Sequence, residues 1–207
     1  VCLCIPSFAD DGMDLTRTVV VARNNLTHRE NRAAKMLVEE VHRRTGIHWS
    51  IVEPTHPVDA SVTILLHPVR DWSPFLDDPP SKPDAEGFTI RTNKRGSKIE
   101  IVGDERGLLF GIGYLLRKIE MSSGKAWLPR AVNLTSNPTT NLRGHQLGYR
   151  PKTNSYDGWD LPQWEQYVRD LAIFGTNAIE LVPPKSDDDD ESPHFPRPKL
   201  EMMIGMS

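Results

Sequence analysis

The chain has 207 residues, with 25 Lys and Arg against 28 Asp and Glu, a formal net charge of −3 and 38% hydrophobic residues. Dispersed basic residues and a slight acidic excess argue against a nucleic-acid partner, and no apolar run approaches the ~20 residues of a membrane-crossing helix, so membrane insertion is not expected. The length allows one large domain or one and a half smaller ones.

The first residues read VCLCIPSFADDG. Val1 to Ile5 are apolar and hold Cys2 and Cys4, the only cysteines of the chain. Ser7-Phe8-Ala9 then places small residues at the −3 and −1 positions of a cleavage point before Asp10. That is the pattern of the tail of a secretory signal, so residues 1–9 are expected to be its remnant and the protein secreted or periplasmic; the competing reading is an N-terminus with no such role. On the first reading the mature chain has no thiol. Cys2 and Cys4 would in any case close too short a loop for a useful staple.

TRTVVVAR (16–23) is a β-branched run that predicts a buried strand. Thr27-x-x-Glu30 is a capping box opening a helix whose apolar face is Ala33, Leu37 and Val41, and Gly46 is its stop signal. HWSIVE (48–53) and SVTILLH (61–67) predict two more strands. The Pro- and Asp-rich stretch 71–85 predicts a loop. EGFTIRTNKRGSKIEIVG predicts a hairpin turning at 93–96, and Asp104 can cap a helix running to Glu120 with Leu108, Leu109, Ile112, Leu115, Leu116 and Ile119 inward. The first part is therefore expected to be an α/β sandwich: a mixed sheet with its helices on one face.

Residues 127–138 predict a short strand or linker, after which the pattern restarts. NLRGHQLG (141–148) predicts a strand, and Asp160-Leu-Pro-Gln163 opens a helix striped by Trp164, Val168, Leu171 and Phe174 and ended by Gly175. NAIELV (177–182) predicts the next strand. Strand, long loop, helix, strand is the opening unit of a parallel βαβ fold. SDDDDESPHFPRP then predicts an irregular loop, and EMMIGMS the first turn of another helix.

Several local patterns carry little chemistry. Gly103, Gly107, Gly111 and Gly113 have the wrong spacing for a dinucleotide fingerprint and fall within the helical stripe, where they are expected to let the helix approach the sheet. The seven histidines form no H-E-x-x-H or H-x-H pair, so no metal is predicted. The acidic run 187–191 lacks the alternation and glycine of a calcium loop and predicts a solvated loop. Asn25-Leu-Thr and Asn133-Leu-Thr are formal glycosylation sequons, meaningful only in a eukaryotic secretory host.

Two segments carry a resemblance to a known family. Glu86-Gly87-Phe88-x-Ile90, followed by Ile99-x-Ile101-x-Gly103 and Arg106-Gly107-Leu108-Leu109-Phe110-Gly111, resembles the closing hairpin and helix of the small N-terminal domain of β-hexosaminidases and α-glucuronidases. Arg143-Gly144 and the strand opened by Asn177 then resemble the entrance of the (β/α)8 barrel that follows in those enzymes. The resemblance is clear over 86–182 and weaker over 16–67. It implies a domain at 10–137 and the start of an incomplete TIM-type barrel at 138–207. It also implies an oligosaccharide or polysaccharide substrate, hydrolysis of glycosidic bonds, no cofactor, and a remainder of the barrel lying outside these residues.

Barrel enzymes place their sites on the loops at the C-terminal ends of the strands. The stretch RGHQLGYRPKTNSYDGW (143–159) follows an expected strand and is rich in hydrogen-bonding and stacking groups. Arg143, Tyr149, Arg150, Tyr156, Asp157 and Trp159 are therefore candidate sugar contacts; for any one of them the alternative is that it braces the loop. The resemblance implies that Arg143 grips sugar hydroxyls, while Gly148 stands where the family has an aspartate. Alternation along the second strand turns Ile179 toward the helices and Glu180 toward the barrel interior, so Glu180 is a further candidate, or else a structural partner for Arg143. Glycoside hydrolysis usually needs two carboxyls, and the family's acid sits on a later strand, so the catalytic residues are expected beyond Ser207 and the 207-residue chain is expected to be inactive. The reading of a different class is a non-catalytic carbohydrate-binding or interaction module with the same fold.

Overall fold

The computed structural model describes residues 12–55, 59–71, 82–146, 159–180 and 199–206. They fall into two compact units divided between Thr139 and Thr140. In the first unit, β1 (Met13–Asp14) and β2 (Thr18–Ala22) lead to α1 (His28–Thr45), β3 (Ser50–Val52), β4 (Val62–Pro68) and the hairpin of β5 (Phe88–Thr92) and β6 (Lys98–Gly103). Then come α2 (Glu105–Lys118), β7 (Glu120–Ser122), β8 (Lys125–Leu128) and β9 (Asn133–Ser136). The second unit holds β10 (Gly144–Gln146), α3 (Leu161–Ile173), β11 (Ala178–Glu180) and α4 (Lys199–Met206).

The main sheet runs β3-β2-β4-β6-β5-β9. The first four strands are parallel, and β5 and β9 are antiparallel to their neighbours, so the sheet is mixed. Val20, Ile64 and Ile99 share one register line and Leu66, Ile101 and Ile90 the next, all on the face under the helices. Those six are fully or almost fully buried together with Leu37 and Val41 of α1 and Leu108, Ile112 and Leu115 of α2. Burial of each such side chain is worth about 1.5–3 kcal/mol, so this layer carries the stability of the unit.

Local chemistry sets the element ends where the sequence predicts them. The Thr27 hydroxyl accepts from Glu30 N–H while the Glu30 carboxylate accepts from Thr27 N–H, and Gly46 closes α1 at φ 77°, a left-handed value that suits glycine. Asp104 caps α2 by accepting from Gly107 N–H at 2.6 Å, and its second oxygen accepts from Glu86 N–H. The side chain of Asn93 accepts from Ser97 and Lys98 N–H, which fixes the β5–β6 turn. The α2 glycines do allow close packing. A Cβ on Gly111 would stand 2.6 Å from Ile101 Cγ2, and one on Gly107 would strike the carbonyl of Gly87.

Two features differ from expectation. The helix predicted to reach Glu120 ends at Lys118, because Ile119 is extended and Glu120 opens the β7–β8 hairpin. That hairpin turns at Gly124, at φ 69°, whose N–H donates to Thr45 O at the end of α1, and it forms a small sheet with β1. The stretch predicted as a short strand or linker contributes β9, an edge strand of the main sheet paired with β5. The predicted loop is described only at its ends, since 72–81 lie outside the described residues, as does the acidic run 187–191.

Candidate functional site

The second unit is built on two parallel strands and a helix. Asp160 accepts from Gln163 N–H and Gln163 Oε1 accepts from Asp160 N–H, both at 2.9 Å, so the predicted capping box starts α3. β10 and β11 pair in parallel, with Gly144 opposite Ala178, His145 opposite Ile179 and Gln146 opposite Glu180. His145 Nε2 is 2.6 Å from the hydroxyl of Tyr167 on α3, so the His145–Ile179 line lies toward the helix. By alternation Gln146 and Glu180 lie on the other face. Both are exposed.

A carboxylate beside a carboxamide at the last described positions of two parallel strands suits polyhydroxylated ligands. The carboxylate accepts from two hydroxyls, and the amide both donates and accepts. Glu180 is a candidate from its own strand, and Gln146 joins it only through the strand pairing. The pairing that brings them together depends on a register that neither strand reveals alone.

The structure corrects the position expected for Arg143. It precedes β10, at the N-terminal end of the strands rather than the C-terminal end. Its Nε donates to Gly175 O at 2.8 Å and its Nη1 to Thr140 O at 2.9 Å. Its backbone N–H donates to Asn177 Oδ1 at 2.8 Å, Asn177 N–H donates back to Arg143 O, and Asn177 Nδ2 donates to Asn141 O. Arg143 and Asn177 thus clamp the starts of the two strands together. Arg143 stands opposite Asn177, three residues before Glu180, so alternation puts the two side chains on opposite faces, and the guanidinium is bonded to carbonyls at the strand starts.

Trp159 packs against α3. It is half-buried, with its ring centroid 5.3 Å from Trp164 at 72° and 5.1 Å from Tyr167 at 58°, in the edge-on and tilted geometries that aromatic rings prefer. Trp164 and Met202 are the buried centre of this cluster, and Leu161, Tyr167 and Met206 pack around it. Trp159 is therefore part of the small core of the unit. Of the expected buried stripe, Val168 is exposed and Phe174, at the end of α3, is 75% exposed. Tyr149, Arg150, Tyr156 and Asp157 lie outside the described residues. Among the described residues no group of three or more His, Cys, Asp or Glu side chains could hold a metal ion, and no helix is long and apolar enough to cross a membrane.

The folds of solved glycoside hydrolases match this arrangement. One is an inactive mutant of the exo-β-N-acetylglucosaminidase of glycoside hydrolase family 20 from Vibrio harveyi, with a TM-score of 0.58 and 15% identity over 83% of this chain and 23% of that one. A second is the chitobiase of Flavobacterium johnsoniae, with a TM-score of 0.54 and 17% identity over 82% of this chain and 24% of that one. A third is a family 115 4-O-methyl-α-glucuronidase with specificity for decorated arabinogalactans, with a TM-score of 0.50 and 12% identity over 78% of this chain and 24% of that one. The likeness is one of fold, and it falls on the two enzyme groups that the sequence motifs resemble. The chain spans about a quarter of the length of these proteins. No protein-family profile matches the chain, and no curated protein matches it.

Proposed function

We propose that these residues are the N-terminal portion of a secreted enzyme that hydrolyses glycosidic bonds, and that they supply part of its sugar-binding edge. The observation that carries this reading is the order of the two units: a two-helix α/β layer followed by a parallel βαβ start, in the fold of solved glycoside hydrolases. In this reading the second unit opens a (β/α)8 barrel. Glu180 and Gln146 face its interior, and the loop carrying Tyr149, Arg150, Tyr156 and Asp157 lines its mouth. Arg143 and Trp159 hold that edge in place from behind and below.

The catalytic acid is assigned to another part of the whole protein. Within the described second unit, Asp160 is committed to its cap, Glu165 to Arg169 at 2.7 Å and Asp170 to Gln166 at 3.0 Å, while Glu201 stands in the first turn of α4. Glu180 alone would lack the second carboxyl, or the substrate assistance, that the reaction requires. The small-x-small pattern before Asp10 supports secretion. The test is the natural gene product containing these residues, assayed on a panel of aryl glycosides with Glu180→Gln alongside. The reading expects turnover, with substrate binding weakened by roughly tenfold in the variant, the worth of about 1.4 kcal/mol. Binding of oligosaccharide without turnover of any glycoside would instead make the protein a carbohydrate-binding module.

A further inference from the structure

We propose that Glu180 is a specificity-determining residue that admits uncharged, hydroxyl-bearing sugars and turns uronic acids away. This inference rests on the reading of Gln146 and Glu180 as part of a sugar-binding edge, and it names the charge class of the sugar. The two residues face each other across β10 and β11, on the side turned away from the contact of His145 with Tyr167. Both are exposed, and among the described residues neither side chain has a hydrogen-bond or ion-pair partner. Their donors and acceptors are therefore open to a ligand.

Charge decides which sugar that ligand is. β10 (GHQ) and β11 (AIE) contain no Lys or Arg. His145 meets the Tyr167 hydroxyl on the helix side, and the guanidinium of Arg143 is bonded to Gly175 O and Thr140 O at the opposite end of the strands. Within the two described strands nothing offsets the carboxylate of Glu180. The amide of Gln146 can donate to a hydroxyl or to a carboxylate, so it does not tell them apart. Glu180 does, because a hydroxyl can donate to it and an ionised carboxylate cannot. Paired strands lie about 4.8 Å apart, so a ligand carboxylate held by Gln146 would come within roughly 5–6 Å of Glu180. Two like charges at that distance cost about 4-fold in affinity at the dielectric of water and about 150-fold at an effective value of ~20.

The test titrates the natural gene product containing these residues with methyl glycosides in matched pairs, read by ligand NMR. The pairs are glucoside and glucuronide, galactoside and galacturonide, mannoside and mannuronide, whose members differ only in a hydroxymethyl against a carboxylate group. The neutral member should bind tighter by roughly tenfold or more in any pair that binds, and the gap should narrow in ~1 M salt, where screening acts within ~3 Å. Glu180→Gln keeps the shape and removes the charge, and should shrink the gap by about tenfold. Gln146→Ala should weaken both members alike and leave the gap in place. Tighter binding of a uronide by the native protein, an unchanged gap in Glu180→Gln, or no binding of any member would overturn the proposal. Turnover of aryl glycosides with a gap indifferent to Glu180→Gln would sink this inference and spare the hydrolase. A gap that depends on Glu180 without turnover would do the reverse.

Discussion

Replacing Arg143 by alanine distinguishes a clamp from a substrate contact. Among its interactions, the guanidinium donates a part-buried hydrogen bond to Gly175 O and an exposed one to Thr140 O. Water can replace the exposed bond. The part-buried one is charge-assisted and worth about 1.5–3 kcal/mol. The second unit has a small core centred on Trp164 and Met202, so a loss of that size should open its strands locally. Amides paired across β10 and β11, together with Asn177 N–H, should exchange roughly 10- to 150-fold faster, since 1.4 kcal/mol is a factor of ten. Amides of β4 and β6 in the first unit should keep their protection. Hydrogen exchange followed by mass spectrometry reads both sets at once. Arg143→Lys should recover little, because an ammonium lacks the fork that reaches two carbonyls. Unchanged protection in Arg143→Ala, combined with weakened sugar binding by the natural gene product, would refute the clamp and restore Arg143 as a ligand contact.

Three further outcomes follow from the first unit. Arg70→Met should lower stability to urea by about 2–3 kcal/mol, below the full value for a broken buried pair because Arg70 is 41% exposed, while its partner Glu30 is fully buried and loses bonds of 2.5 and 2.8 Å. Gly111→Ala should cost about 1–3 kcal/mol in the same assay, because the new Cβ meets Ile101 at 2.6 Å; a neutral result would show that α2 can slide on the sheet. Burial, only partly opposed by Glu100, holds the pKa of His67 below the ordinary 6.5, so the unfolded chain binds its proton more readily. The contribution of His67 is thus full above about pH 6.5 and is lost as pH falls through the folded-state value. His67→Gln should flatten that part of the melting-temperature profile against pH.

Signals confined to a few neighbouring residues were legible in the sequence, and those that depend on pairing were not. Thr27-x-x-Glu30, Asp160-x-x-Gln163, Gly46 and the turn at Asn93 to Gly96 each act within one turn of chain, and each stands where its pattern puts it. The β7–β8 hairpin was hidden because LLRKIEMS continues the helical stripe; only the extended Ile119 breaks it. Arg143 was misplaced by a few residues of strand boundary. In a parallel unit that is the difference between the end that binds ligands and the end that holds the strands together. Trp159 has the composition of a sugar platform, and only the positions of Trp164 and Tyr167 on α3 show that its ring is engaged in packing.

The most direct test compares the 207-residue chain with the natural gene product containing it on the same panel of aryl glycosides. On the proposed reading the gene product should hydrolyse at least one of them and the chain none, because the reaction needs a catalytic acid that this reading assigns to another part of the whole protein. Turnover by the chain alone, or a gene product inert toward every glycoside, would contradict it.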